Sequence, residues 1–124
     1  GSTFGGNPLA CAVAEQVMIM LSKKSLLNGV KKKEKLFLKE LKDINKEFKC
    51  FSAIRSSGLW IGCKLNVTEN FNLDTIMKAC YANGLMILKA NNNTIRIAPS
   101  LIIEDDLILK GLKILRQAIR EQLR

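Results

Sequence analysis

The sequence has 124 residues, 48% of them hydrophobic, and carries a formal net charge of +9. This length fits one domain with a core of its own, no apolar run is long enough to cross a membrane, and the start does not resemble a signal peptide. The absence of histidine excludes His-based triads and Cys/His zinc sites, and the four cysteines are expected to be buried free thiols in a reducing cytoplasm rather than disulfides.

Much of the excess positive charge lies in one lysine-rich segment, which also contains glutamates and aspartates. A surface that binds nucleic acid more often contains arginines and aromatic side chains, so the segment is interpreted as a solvated helix face with no nucleic-acid partner. A stand-alone basic binding module remains the alternative, and steeply salt-dependent binding would support it. The lysines are Lys31, Lys32, Lys33, Lys35, Lys39, Lys42, Lys46 and Lys49.

The first predicted helix spans residues 8–24. Asn7 is a favourable N-cap, and Pro8 suits the first helical position because its missing N–H would have no partner there. Apolar residues surround much of this helix, so we expect it to pack on a domain outside these residues or on a second subunit. Two alternatives are that it crosses the core of its own domain, or that it serves a non-catalytic association domain.

The middle of the chain predicts a long helix and a strand. Residues 28–48 place one apolar stripe on a helix, formed by Val30, Phe37, Leu41, Ile44 and Phe48. Residues 59–65 alternate apolar and other side chains, as in a half-buried strand. Residues 51–54 are predicted to be a short extended lead-in to that strand.

The C-terminal part predicts a short helix, a hairpin and a last helix. Residues 73–81 form the short helix, which Asn83-Gly84 ends. Residues 85–88 and 94–98 are predicted strands of an antiparallel hairpin, with the asparagines at 91–93 as its turn. The last helix spans residues 105–123, with acidic residues at its start and Arg116, Arg120 and Arg124 near its end. Helices packed on a small, mainly antiparallel sheet predict an α+β domain.

Arg96 is a candidate binding residue in the predicted strand at residues 94–98. If Ile95 and Ile97 face the core, strand alternation places Arg96 on the opposite face. A guanidinium there can bind a carboxylate through two parallel hydrogen bonds. The alternative is an ordinary solvated strand arginine.

The loop before the first helix is a candidate anion site. Gly5 and Gly6 allow a tight turn, and the hydroxyls of Ser2 and Thr3 lie close to the start of a helix. For Thr3 the alternative is a hydroxyl that caps local N–H groups. For Ser2 it is a cloning remnant, Gly1-Ser2, that matches by chance.

Three strings resemble the class III (ornithine-type) pyridoxal-phosphate-dependent aminotransferases. GSTFGGNPLAC at residues 1–11 resembles the cofactor-phosphate loop of that family, and its sequence is most similar to that of the acetylornithine aminotransferases. GLWIG at residues 58–62 resembles the glycine-flanked strand of the small domain, and IRIAP at residues 95–99 its carboxylate-binding segment. Ser100 stands where the family often has a second proline. The resemblance covers nearly the whole chain, in the right order.

This resemblance implies the C-terminal small domain of a type I aminotransferase, preceded by a long interdomain helix. Residues 1–25 would form the cofactor-phosphate loop and that helix, and residues 26–124 the small domain. Thr3 would bind the phosphate of a pyridoxal phosphate held mainly by the other subunit of a homodimer. Ser2 would lie beside that phosphate and near the substrate, and Arg96 would receive the carboxylate of glutamate or 2-oxoglutarate.

The reaction implied is transfer of an amino group from N-acetylornithine to 2-oxoglutarate, in cytoplasmic arginine biosynthesis. Ornithine, succinyldiaminopimelate and 4-aminobutyrate remain alternative amino donors. The family's Schiff-base lysine, the acid at the pyridine nitrogen and the aromatic that stacks on the ring would all lie upstream. We therefore expect no catalytic residue and no metal site among these residues, and no transaminase activity from the chain alone.

Overall fold

The structure is a computed structural model that describes residues 1–68, 71–91 and 93–123. In chain order its elements are α1 (Pro8–Leu21), α2 (Lys24–Phe48), β1 (Phe51–Ser57), β2 (Trp60–Leu65), α3 (Leu73–Ala82), β3 (Leu88–Ala90), β4 (Thr94–Ile97) and α4 (Asp105–Gln122). Over the described ranges, the strands form one antiparallel sheet in the order β1-β2-β4-β3. The predicted α+β class is confirmed. The predictions for Asn92 and Arg124 fall outside the described residues.

The core lies between one face of the sheet and helices α2, α3 and α4. In β2, Ile61 and Cys63 are fully buried, whereas Trp60 and Lys64 on the other face are exposed. The predicted alternation of this strand is therefore confirmed, and the apolar stripe of α2 packs where the pattern indicated. The fully buried large side chains include Leu41, Ile44, Ile61, Leu73, Ile76, Ile95, Ile108, Leu115 and Ile119.

Helix α1 lies outside this core. It contains no buried residue, and Leu9 and Met18 are 76% and 64% exposed. Among the described elements it makes its main contact with α2, the helix that follows it. The alternative that α1 crosses the core of its own domain is therefore wrong.

Helix α2 begins earlier than predicted, at Lys24 instead of residue 28. The N–H of Leu27 donates to the carbonyl of Lys23, so the helical hydrogen bonds start directly after the short link at residues 22–23. No side chain caps this end, because Lys23 occupies the N-cap position. The missing cap signal explains why the sequence pattern misses the first turn.

Strand β1 is longer than the predicted lead-in at residues 51–54. It continues to Ser57, which pairs with Trp60 across a two-residue connection of Gly58 and Leu59. Gly58 has a φ of 59°, the left-handed conformation that such tight hairpins require. Leu59, predicted as a strand residue, lies in the turn. Pairing with β2 outweighs the weak strand preference of the serines at the end of β1.

The strand predicted at residues 85–88 is displaced, since β3 spans Leu88–Ala90. Backbone groups before β3 have other partners: the N–H of Leu85 donates to the carbonyl of Cys80, and the Tyr81 hydroxyl donates to the carbonyl of Ile87 over 2.9 Å. These bonds tie the segment to α3, so the ladder with β4 starts only at Leu88. Tyr81 itself is 48% exposed.

The arginines near the end of α4 connect two helices. Arg116 and Arg120 donate to the two carboxylate oxygens of Glu47 on α2, over 3.1 and 2.9 Å. All three side chains are partly exposed, so the cluster contributes modestly to stability and mainly fixes how α4 lies against α2.

Candidate active site

The loop at residues 1–7 ends in a well-defined turn. The carbonyl of Phe4 accepts from the N–H and from the side-chain amide of Asn7, over 3.3 and 2.6 Å. Gly6, the third residue of this turn, has a φ of 80°, which glycine adopts without strain. The side-chain oxygen of Asn7 then accepts from the N–H of Ala10 over 2.9 Å, and Pro8 is the first helical residue. The predicted N-cap and proline position are both confirmed.

Ser2 and Gly5 approach each other closely in this loop. A Cβ built on Gly5 would lie 3.0 Å from both Cβ and Oγ of Ser2, which is tighter than most real Cβ contacts. A larger residue at position 5 would therefore displace Ser2. Thr3, between them in sequence, is exposed, and its hydroxyl takes part in no hydrogen bond among the described residues.

The N-terminal end of α1 has few free backbone N–H groups that could bind an anion. Pro8 has no N–H, and the N–H of Ala10 is already bonded to Asn7. A phosphate in this loop would therefore depend on the hydroxyls of Ser2 and Thr3 and on loop amides, more than on the helix dipole. Two exposed hydroxyls beside a tight turn have the chemistry and the access that such a group needs.

Arg96 lies in β4 on the face of the sheet away from the core. Its neighbour Ile95 is fully buried, whereas Arg96 is half-buried, which confirms the predicted alternation of these two residues. Its backbone pairs with Gly62 of β2 on one side and with Leu88 of β3 on the other. None of the ion pairs among the described residues involves Arg96, so no carboxylate of those residues compensates its charge.

A cleft of about 260 Å³ lies beside Arg96, between α4 and the segments around β3 and β4. Its lining is apolar apart from Arg96, the one charged residue among those that border it. No residue of the loop at 1–7 lines this cleft. The residues that border the cleft therefore include Arg96 but not Ser2 or Thr3. Its lining includes Leu85, Met86, Ile97, Pro99, Ile103, Leu107 and Gly111.

The sheet face around Arg96 contains residues that the sequence did not single out for function. The register places Gly62 between Arg55 and Arg96 on three adjacent strands, and Trp60 and Lys64 lie on the same face. The Trp60 ring centroid is 5.7 Å from the guanidinium carbon of Arg96. Strand alternation already indicated that Trp60 points outward, but only the register between distant segments shows that it lies beside Arg96.

The cysteines do not form a catalytic site. Cys50, Cys63 and Cys80 are buried free thiols, and burial raises their pKa values to about 11, 12 and 11. They remain neutral near pH 7 and are poor nucleophiles. Cys11 departs from the expectation of buried thiols, because it is exposed on α1. Over residues 1–68, 71–91 and 93–123, no group of His, Cys, Asp or Glu side chains is arranged to hold a metal, and no helix is long and apolar enough to cross a membrane.

Comparison with known proteins relates both the sequence and the fold of this chain to one family. The sequence profile of the aminotransferase class-III family matches residues 1–119. The chain is 46% identical over 123 residues to an acetylornithine/succinyldiaminopimelate aminotransferase of Buchnera aphidicola subsp. Acyrthosiphon pisum, an alignment that covers 99% of the chain and 30% of that protein. It is 42% identical to a succinylornithine transaminase of Yersinia enterocolitica, over 98% of the chain and 29% of that protein.

A solved structure shows the same fold. The N-acetylornithine aminotransferase of Stenotrophomonas maltophilia superposes with a TM-score of 0.83 at 35% sequence identity, covering 96% of this chain and 33% of that one. The chain thus spans about 30% of the length of the curated relatives it matches. By its sequence and its fold, this chain belongs to the class III aminotransferase family.

Proposed function

We propose that this chain supplies a carboxylate-binding residue and a cofactor-phosphate contact to a pyridoxal-phosphate-dependent aminotransferase. The observation that carries the proposal is the position of Arg96 on the open sheet face, with no carboxylate partner among the described residues. A guanidinium binds a carboxylate through two parallel N–H groups and is always protonated. Arg96 therefore binds the α-carboxylate of 2-oxoglutarate or glutamate and orients its reacting carbon.

The loop at residues 1–7 contributes the phosphate contact. Thr3 and Ser2 donate their hydroxyls toward the phosphate of pyridoxal phosphate, and the turn that Asn7 fixes holds them in place. Exposed hydroxyls without another described partner fit such a role. When bound, pyridoxal phosphate supplies the electron sink that amino transfer requires. The residues of this chain bind and orient the substrate and the cofactor, and they exchange no proton with the substrate.

The two contacts serve different catalytic sites of a homodimer in this proposal. The cleft lined by Arg96 contains no residue of the loop, in keeping with a phosphate held mainly by the partner subunit. The exposed apolar surface of α1 also supports assembly, because a helix that is apolar nearly all round is stable when another surface covers it. We assign residues 1–25 to the cofactor-phosphate loop and interdomain helix, and residues 26–124 to the small domain.

The amino donor we propose is N-acetylornithine, with 2-oxoglutarate as acceptor, in cytoplasmic arginine biosynthesis. Two relatives, from Buchnera and Stenotrophomonas, have names that include acetylornithine. Succinyldiaminopimelate and succinylornithine occur in other relatives' names and are the nearest alternatives, followed by ornithine and 4-aminobutyrate. The stand-alone basic module is disfavoured because the family profile covers nearly the whole chain.

Steady-state kinetics of the full-length enzyme test this proposal. With 2-oxoglutarate as acceptor, we expect kcat/KM for N-acetylornithine to exceed that for ornithine by about tenfold or more, because a site shaped for an acylated amine leaves the charge of free ornithine unpaired. The chain alone, measured as a control, should show no turnover. A preference for ornithine or 4-aminobutyrate would contradict the proposed donor, and turnover by the chain alone would contradict its role as a binding part.

A further inference from the structure

We infer that Trp60 is a positioning residue for Arg96, restricting where its guanidinium lies before the substrate carboxylate binds. This inference rests on the proposed carboxylate-binding role of Arg96. The ring centroid of Trp60 lies 5.7 Å from the guanidinium carbon, within the distance at which a cation and an aromatic face attract each other.

The register of the sheet creates this contact. Gly62 of β2 is the backbone partner of Arg96, and Trp60 lies two residues earlier on the same strand and the same face. Because Gly62 has no side chain, nothing at that position separates the indole ring from the guanidinium. The nearest atom to a Cβ built at position 62 would be Cγ2 of Thr94, at 3.5 Å.

Packing in the core does not explain why a tryptophan occupies position 60. Trp60 is 65% exposed, whereas its sequence neighbours Leu59 and Ile61 are almost fully buried. A large aromatic side chain on an open sheet face gains little from burial there. Among the described residues, the interaction that involves this ring is its contact with Arg96.

An aromatic ring suits this role better than a carboxylate would. A carboxylate partner would occupy the N–H groups that the substrate needs, whereas a ring contacts the face of the guanidinium and leaves its N–H groups free. It also restricts a long and flexible side chain before the substrate arrives, which reduces the entropy lost on binding. The expected consequence is a lower KM for 2-oxoglutarate, with little effect on later steps.

Variants of the full-length enzyme separate these roles. Trp60→Leu should raise the KM for 2-oxoglutarate about fivefold with kcat within about twofold, the size of effect expected from an exposed cation–π contact and its ordering of one side chain. Trp60→Phe, which keeps an aromatic face, should recover most of the loss. The KM for the amino donor and the affinity for pyridoxal phosphate should not change. Lys64→Leu, on the same face and strand, is the matched control and should behave as the parent.

The outcomes distinguish this inference from the proposed function. An unchanged KM for 2-oxoglutarate in Trp60→Leu, together with a large loss in Arg96→Ala, would overturn the role of Trp60 and leave that of Arg96 intact. Equal impairment of Trp60→Leu and Trp60→Phe would also overturn it, because the aromatic face would then not matter. If Arg96→Ala has no effect on 2-oxoglutarate, the proposed function of Arg96 fails and the inference fails with it.

Discussion

Replacing Arg96 with alanine in the full-length enzyme is expected to lower kcat/KM for 2-oxoglutarate by about a hundredfold to a thousandfold. The change removes the cation and leaves the carboxylate that we propose Arg96 binds without its two hydrogen bonds. Loss of one partner of a hydrogen-bonded charge pair costs about 3–4 kcal/mol. Steady-state kinetics with varied 2-oxoglutarate measure the loss. Affinity for pyridoxal phosphate should stay near that of the parent, because Arg96 is proposed to bind the substrate carboxylate and not the cofactor.

Two further variants sharpen this prediction. Arg96→Lys keeps the charge but loses the planar pair of N–H groups, so its loss should fall between those of the parent and of Arg96→Ala. Arg116→Ala removes an arginine that is bonded to Glu47 between helices, so it should leave the kinetics with 2-oxoglutarate unchanged. If Arg96→Ala keeps the parent's kinetics with 2-oxoglutarate, Arg96 does not bind this substrate.

Replacing Ile95 with alanine is expected to lower the free energy of unfolding of the chain by about 3 kcal/mol, through lost burial and the cavity left behind. Ile95 is fully buried in the centre of the sheet, next in sequence to Arg96. Urea denaturation followed by circular dichroism gives the free energy directly. The same measurement tests whether the core lies on the face of β4 opposite Arg96.

Ile102→Ala is the matched control for this prediction. It deletes the same atoms from a side chain that is 76% exposed, so it should change the free energy of unfolding by less than about 0.5 kcal/mol. Equal destabilisation by the two variants would contradict the placement of the core. A larger effect at Ile102 would show that the residues after β4 pack differently from the described structure.

Local patterns predicted the parts of the fold that depend on local chemistry. The stripe from Val30 to Phe48 gave the correct face of α2 because helix periodicity acts within a few residues. Asn7 predicted the start of α1 because a cap is a contact between near neighbours. The length of β1 and the start of β3 were mispredicted. Both depend on pairing between segments, and β3 also on the bond from Tyr81 to the carbonyl of Ile87.

The features of the candidate site likewise divide into those that local sequence patterns predicted and those that they did not. Alternation alone placed Arg96 opposite Ile95, but its proposed role came from the resemblance of residues 95–99 to a family segment. Ser2 and Thr3 were candidates because their hydroxyls lie near the start of a helix, but their cofactor and substrate roles came from the resemblance of residues 1–11 and remain proposals. Trp60 was missed because its contact with Arg96 exists only after β2 and β4 pair in one register. Strand registers between distant segments are not encoded in any short window of sequence.

Mixed dimers test whether Thr3 and Arg96 of one chain serve different catalytic sites of a dimer, as we propose. One subunit carries Thr3→Asp, whose charge repels the phosphate, and the other carries Arg96→Ala. Each homodimer of a single variant should be strongly impaired. In the mixed dimer one site receives both intact residues and the other receives neither, so activity should return to about half that of the parent. No recovery above the two variant homodimers would show that Thr3 and Arg96 of one chain serve the same site, and the proposed arrangement of the dimer would be wrong.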